Sequence, residues 1–289
     1  MTNKTDGGYM SKIRELEHWV AVLTRADLPV LKHTAQDLTA LRADDKRLNA
    51  HAIAEVITSD PIMTVKLLRY LQQHKSKAQT TEVVQVEQAL LMLGIEPFFN
   101  NVPPQPLVED MLKTHVIALP PMLRVVHRSH RASEYAMEWA VQLRDLHYEE
   151  VRVAALLHDI AEILMWCFAP AMMLEIRDLQ RKDKTLRSCN VQEQVLGFAL
   201  VELQKELALR WGLPKLLIML MNDTSAQQPR VRNVALAVNL ARHSANGWDD
   251  AALPDDYKDI GELLRIPAVQ VMAMLEADAG IVRLPDSTT

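Results

Sequence analysis

Residues Val153–Trp166 read VAALLHDIAEILMW. Eleven of the positions are apolar; His158, Asp159 and Glu162 are the exceptions. A run that is apolar all round belongs inside a core rather than on a surface, and its composition predicts a single, near-fully buried helix. An imidazole and a carboxylate side by side in such a segment need partners, because burying a polar group without a hydrogen bond costs roughly 2–7 kcal/mol. Two readings are open. Either the pair holds a metal ion and does chemistry, or neighbouring helices satisfy it and the chemistry is absent.

Composition bounds the rest. The chain has 289 residues, enough for one large domain or two modest ones. Only 8 residues are glycine, and aromatic residues make up 5%. That scarcity, beside abundant Leu, Ala, Met and Gln, favours helices over strands. The net charge of −5 provides no broad electrostatic attraction for nucleic acid. Cys167 and Cys189 stand alone, without the spacing of a zinc site or a disulfide framework. The N-terminus, MTNKTDGGYMSK, is polar and lacks a signal-peptide core. No apolar run is long enough to span a bilayer, so a cytoplasmic, bacterial-type protein is expected.

Helical signals follow one another along the chain. Pro29–Leu41 begins with proline at a first-turn position, and Asn49 can cap a helix through Ile57. Asp60 reads as an N-cap, with Pro61 in the first turn and Ile62, Val65, Leu68 and Leu71 on one face. A further helix is expected to end at Gly94. Prolines 97, 103, 104, 106, 120 and 121 then bracket a connector. Beyond it, Met122 to Arg144 is expected as one long amphipathic helix, Arg177–Lys184 as a polar loop, and Gln192 to Arg210 as one helix. Trp166 and Trp211 are candidate core anchors, and Met172, Met173, Met219 and Met221 are core filler rather than a groove. The expected organisation is an N-terminal extension over 1–26, a helical domain over 27–245 and a C-terminal helical tail over 246–289. The domain divides into a lobe over about 27–102, a proline-rich connector over about 103–121 and a second lobe over about 122–245.

Four stretches carry a family resemblance. Asp60-Pro-Ile-Met-Thr-Val-Lys-Leu-Leu-Arg69 is similar to the "DP.L..klLr" signature of HDOD (HD-related output domain) proteins. Val83 through Gly94 resembles that family's "I.si..Ai..LG" helix, Ala155–Ala161 its "GLLHDIG", and Trp211–Pro214 its "WglP". They occur in family order. The resemblance implies an all-α, multi-helical fold of two lobes, akin to the HD phosphohydrolases. It also implies a signalling role, usually without demonstrated catalysis.

The same resemblance locates a metal site and shows departures from it. The HD superfamily binds its ion with an early His, the His-Asp pair and a distant Asp. Such an ion would lower the pKa of a bound water and clamp a phosphate oxygen. The matching candidates are His158 and Asp159, with His127 or His130 as the early ligand. The distant Asp falls on Arg242, a cation that would repel a metal. The family's later histidines fall near Leu200 and Asn222-Asp223, and His243 is the only histidine after Asp159. Glu193, Glu202 or Asp223 are the substitute carboxylates available. The glycines of the family's motif are Ala155 and Ala161 here.

These departures define the expectation. His158, Asp159, His130 and His127 are read as a vestigial metal set, with no catalytic residue and no cofactor. As a buried polar pair, His158–Asp159 would be satisfied by His127, His130, Arg124 or Arg128, all from one helix. The expected function is a non-catalytic signal-transduction output or scaffold module. It would bind a signalling protein, or a nucleotide-type ligand in the cleft between the lobes, but neither nucleic acid nor a membrane. Self-association through the tail is open. The alternative is a metal-dependent HD-type phosphohydrolase with an atypical ligand set.

Overall fold

The structure is a computed structural model and describes residues 5–75, 82–183, 185–222 and 228–278. It is all-α. Among the described residues the sole β pairing is an isolated parallel bridge between Val30 and Leu107.

The smaller of two cores is built by α2 (Lys32–Arg42), α3 (Ala50–Thr58), α4 (Pro61–Gln73), α5 (Val86–Leu93) and α6 (Ile95–Asn101). Leu38, Ile53, Ile57, Met63, Leu67 and Phe98 form its centre. The larger core gathers α7 (Val108–Met111), α8 (Leu119–Gln142), α9 (Tyr148–Leu157), α10 (Ile160–Phe168), α11 (Pro170–Lys182), α13 (Leu200–Arg210), α14 (Lys215–Leu220) and α15 (Pro229–His243). Helix α4 serves both. Ile62, Val65 and Leu68 face the larger core, while Met63 and Leu67 face the smaller one. A helix apolar on two faces must be sandwiched, and this one joins the two halves.

The start of α4 shows how local chemistry sets the frame. Asp60 is fully buried, and its Oδ1 accepts from Ile62 N at 2.8 Å and Met63 N at 3.1 Å. Its Oδ2 also accepts from Leu31 N at 3.0 Å, tying the start of α2 to the start of α4. Lys66 makes a second tie. Its buried ammonium donates to Asp27 Oδ1 at 2.7 Å, to the Leu28 carbonyl at 3.0 Å and to the Gln105 carbonyl. Burial holds its pKa below the ordinary lysine value, against the opposing pull of Asp27.

Several expected elements differ. Residues 1–26 carry no expected element, yet Thr5–Arg25 is helix α1, packed on α13. Leu16, Trp19, Val20 and Leu23 recur at helical spacing and reach the larger core. The expected polar loop after Arg177 is helical through Lys182, its charges facing solvent; Lys184 lies outside the described residues. The helix expected over 192–210 is two, α12 (Ser188–Leu196) and α13, separated at Gly197. Gly197 has φ +83°, a left-handed backbone that glycine adopts without penalty. Beyond α15, the tail forms α16 (Leu253–Leu264) and α17 (Ala268–Asp278). His243 Nδ1 lies 2.6 Å from Asp256 Oδ2 and fastens α16 to the end of α15. No single described helix is long and apolar enough to cross a membrane.

The largest difference is at the opening stretch. Val153–Trp166 is not one helix: α9 ends at Leu157 and α10 begins at Ile160. His158 keeps a helical backbone, but Asp159 turns to φ −105°, ψ 21°. The break strands a carbonyl and an amide in the core. The amide side chain of Gln204, from α13, satisfies both. Its Nε2 donates to the Leu157 carbonyl at 2.7 Å, and its Oε1 accepts from Ala161 N at 2.9 Å. Buried backbone groups need such partners, so a two-ended side chain makes a helix break stable inside an apolar environment.

Candidate functional site

The break places the His-Asp pair where a continuous helix would not. Asp159 sits at the turn, and its side chain meets α8 and α15. Arg128 of α8 donates through Nε at 3.1 Å and Nη2 at 2.7 Å, both to Asp159 Oδ2. The same Nη2 lies 2.9 Å from Glu162 Oε2, one turn along α10. Arg242 of α15 brings Nη2 to 3.5 Å from Asp159 Oδ1. His158 Nδ1 is 3.3 Å from that oxygen.

The electrostatics follow. Burial alone would raise the Asp159 pKa. Arg128 foremost, then His158 and Arg242, overcome that and hold the carboxyl well below the ordinary carboxylate range. Arg128 is pushed above its ordinary value, since the charges of Asp159 and Glu162 outweigh its own burial. The cluster is a charged carboxylate clamped between two guanidiniums, one largely buried and one half-exposed.

The candidate ligands are not brought together. His158 and Asp159 are adjacent. His130 is half-buried, with Nδ1 3.5 Å from Glu134 Oε1. Burial and the nearby charges of Arg152, His127 and Arg131 lower its pKa against the pull of Glu134. His127 lines an open cleft beside α8, with Arg124. Of the residues expected to satisfy the pair, Arg128 does so. Glu193 and Glu202 are engaged elsewhere, each 3.3 Å from Lys12 Nζ, and Glu202 Oε2 also accepts from Ala199 N. Asp223 lies outside the described residues. Among the described residues no three His, Cys, Asp or Glu side chains are grouped as a metal would require.

A divalent ion of the HD type does not fit this donor set. Coordination needs the lone pairs of Asp159, and guanidinium donors already lie on both of its oxygens. An added cation beside two fixed positive charges would be repelled in a partly desolvated site. Chemically, the cluster can hold three helices in register and fix a local field.

Two contributors escaped the sequence reading. Glu162 shares the Arg128 guanidinium, and Gln204 seals the break. The signal for Gln204 was a polar residue on the buried face of α13, between Leu200, Leu203 and Leu207. The signal for Glu162 was the third polar residue of the opening stretch.

A family model, the HDOD domain, matches residues 28–226. None of the curated proteins matches the chain. Among solved structures, the MmoQ response regulator of Methylococcus capsulatus superposes with a TM-score of 0.60 at 18% identity, over 83% of this chain and 99% of that one. A virulence factor of Campylobacter jejuni superposes with a TM-score of 0.60 at 18% identity, over 93% of each chain. At these identities the likeness is one of fold.

Proposed function

The chain belongs to the HDOD domain family, and on that premise we propose that it is a non-catalytic output or scaffold module of a bacterial signalling system. It acts by binding a protein or small ligand rather than by turnover, and it works in the cytoplasm. One observation carries the reading. Guanidiniums of Arg128 and Arg242 lie on Asp159, where the chemistry of an HD phosphohydrolase would need a divalent ion. A fixed organic cation neutralises the carboxylate and cannot polarise a water or a phosphoryl oxygen as a metal does. The helical framework is retained while its reactive centre is replaced by an ion-pair cluster. That a solved structure of this fold is a response regulator supports the signalling half of the reading.

The test combines metal analysis and activity on protein purified without a polyhistidine tag. The expected result is no stoichiometric manganese, iron, nickel, zinc or magnesium, and no phosphohydrolase turnover with mono- or dinucleotides. A divalent ion held by His158 and Asp159, or turnover lost in His158→Ala, would overturn the proposal and restore the phosphohydrolase alternative.

A further inference from the structure

Helix α8 carries a second feature beside the Asp159 cluster, sharing only Arg128 with it. Arg124, His127, Arg128 and Arg131 recur at spacings of three and four residues, so they share one side of the helix. All four line one cleft, whose opposite wall comes from the end of α15 and the segment after it, including Ala245 and Trp248. Among the described residues, no acidic side chain lines this cleft. That is unusual placement in a chain of net charge −5, because like charges at helical neighbour spacing repel unless something of opposite sign lies among them.

The protein satisfies part of this charge. Arg128 turns inward to Asp159 and Glu162. Arg131 is steadied by Tyr135, donating to its hydroxyl and placing its guanidinium carbon 5.1 Å from the ring centroid. Arg124 and His127 make no hydrogen bond or ion pair with a described residue. The cleft therefore presents a row of donors with one guanidinium already oriented. The small side chain of Ala245 leaves space across from them, and the partly buried indole of Trp248 supplies a flat apolar surface at one side.

We propose that this cleft is a binding site for the phosphate groups of a small phosphorylated ligand whose planar ring lies against Trp248. Arginine suits this task because its planar fork can donate two parallel hydrogen bonds to phosphate oxygens. The aromatic face suits a ring by stacking. The site adjoins the Asp159 cluster and shares Arg128 with it, while its own donors are Arg124, His127 and Arg131. It goes beyond the reading of the Asp159 cluster and rests on it in one respect, that Arg128 and Arg242 stay engaged there.

Isothermal titration of the full chain at low salt with inorganic pyrophosphate and with ADP tests the assignment. Both are expected to bind. The exposed pair Arg124→Gln/His127→Gln, with folding verified by circular dichroism, is expected to weaken both by about tenfold or more, equivalent to roughly 1.4 kcal/mol. Trp248→Leu is expected to weaken ADP more than pyrophosphate. No binding of either probe, unchanged affinity in the paired variant, or unchanged ADP affinity in Trp248→Leu would each overturn the site. None of these results bears on metal content or turnover, so failure here and failure of the non-catalytic reading remain distinguishable.

Discussion

Arg128 Nη2 lies 2.7 Å from Asp159 Oδ2, and neither side chain has more than a small fraction of its surface in water. Arg242, on the same carboxylate, is 3.5 Å away and nearly half exposed. Two guanidiniums therefore serve one acid under different dielectric conditions, and their contributions should differ accordingly.

Arg128→Met is expected to destabilise the protein by about 3–5 kcal/mol, because it leaves Asp159 charged, buried and short of its main partner. Arg242→Met should cost no more than about 1 kcal/mol, the ordinary range for an exposed pair. Urea denaturation of both variants at neutral pH checks the contrast. Equal effects would mean that the buried pair is not the stronger clamp.

The depressed pKa of Asp159 fixes the sign of its pH dependence. A carboxyl held below its unfolded value of about 3.9 stabilises the fold at all pH above that value. The contribution is lost as pH falls below the unfolded value and on through the lower folded one. Asp159→Asn should therefore be less stable than wild type at pH 7, with the gap narrowing only in strong acid. Denaturation of both proteins across an acid series measures it, and a gap that closes already between pH 7 and pH 5, well above both pKa values, would contradict the assignment.

Gln204→Leu removes two hydrogen bonds and keeps an apolar side chain of similar length. It strands the Leu157 carbonyl and the Ala161 amide. At about 1–3 kcal/mol for each orphaned buried group, a loss of roughly 2–6 kcal/mol is expected. Hydrogen exchange adds a local readout, since the Ala161 amide should lose protection more than amides of α15. Uniform loss across the larger core would argue against a specific seal.

Asp60→Ala is expected to cost about 2–4 kcal/mol, combining a lost helix cap of up to about 2 kcal/mol with the stranded Leu31 amide. Asp60→Asn should recover part of this, because its carbonyl oxygen can still accept from Ile62 and Met63. Thermal unfolding of the two variants gives the ranking, and equal melting temperatures would refute a capping role.

Much of the architecture was legible in the order of residues. Helical spacing, the scarcity of glycine and four motifs in register identify an all-α HDOD chain. Asp60 followed by Pro61 marks a helix start because an acceptor side chain and a residue lacking an N–H suit the same first turn. The place of Arg242 in the expected ligand pattern was also visible, as a cation where an acid would stand. Each of these signals is local, or is a pattern held within one segment.

What tertiary structure alone decided is the fate of His158 and Asp159. Periodicity predicts an unbroken helix there, since apolar and mostly helix-favouring side chains flank the pair on both sides. The chain breaks because partners distant in sequence make the break stable: Gln204 for the backbone, Arg128 and Arg242 for the carboxylate. The same holds for α1, whose apolar stripe is ordered by α13. It holds too for the cleft at Arg124, His127 and Trp248, which exists only because α15 carries its following segment back beside α8. Hydrogen bonds and charges act over a few ångströms, so their energies depend on which helices meet, and a sequence specifies those meetings only through the fold.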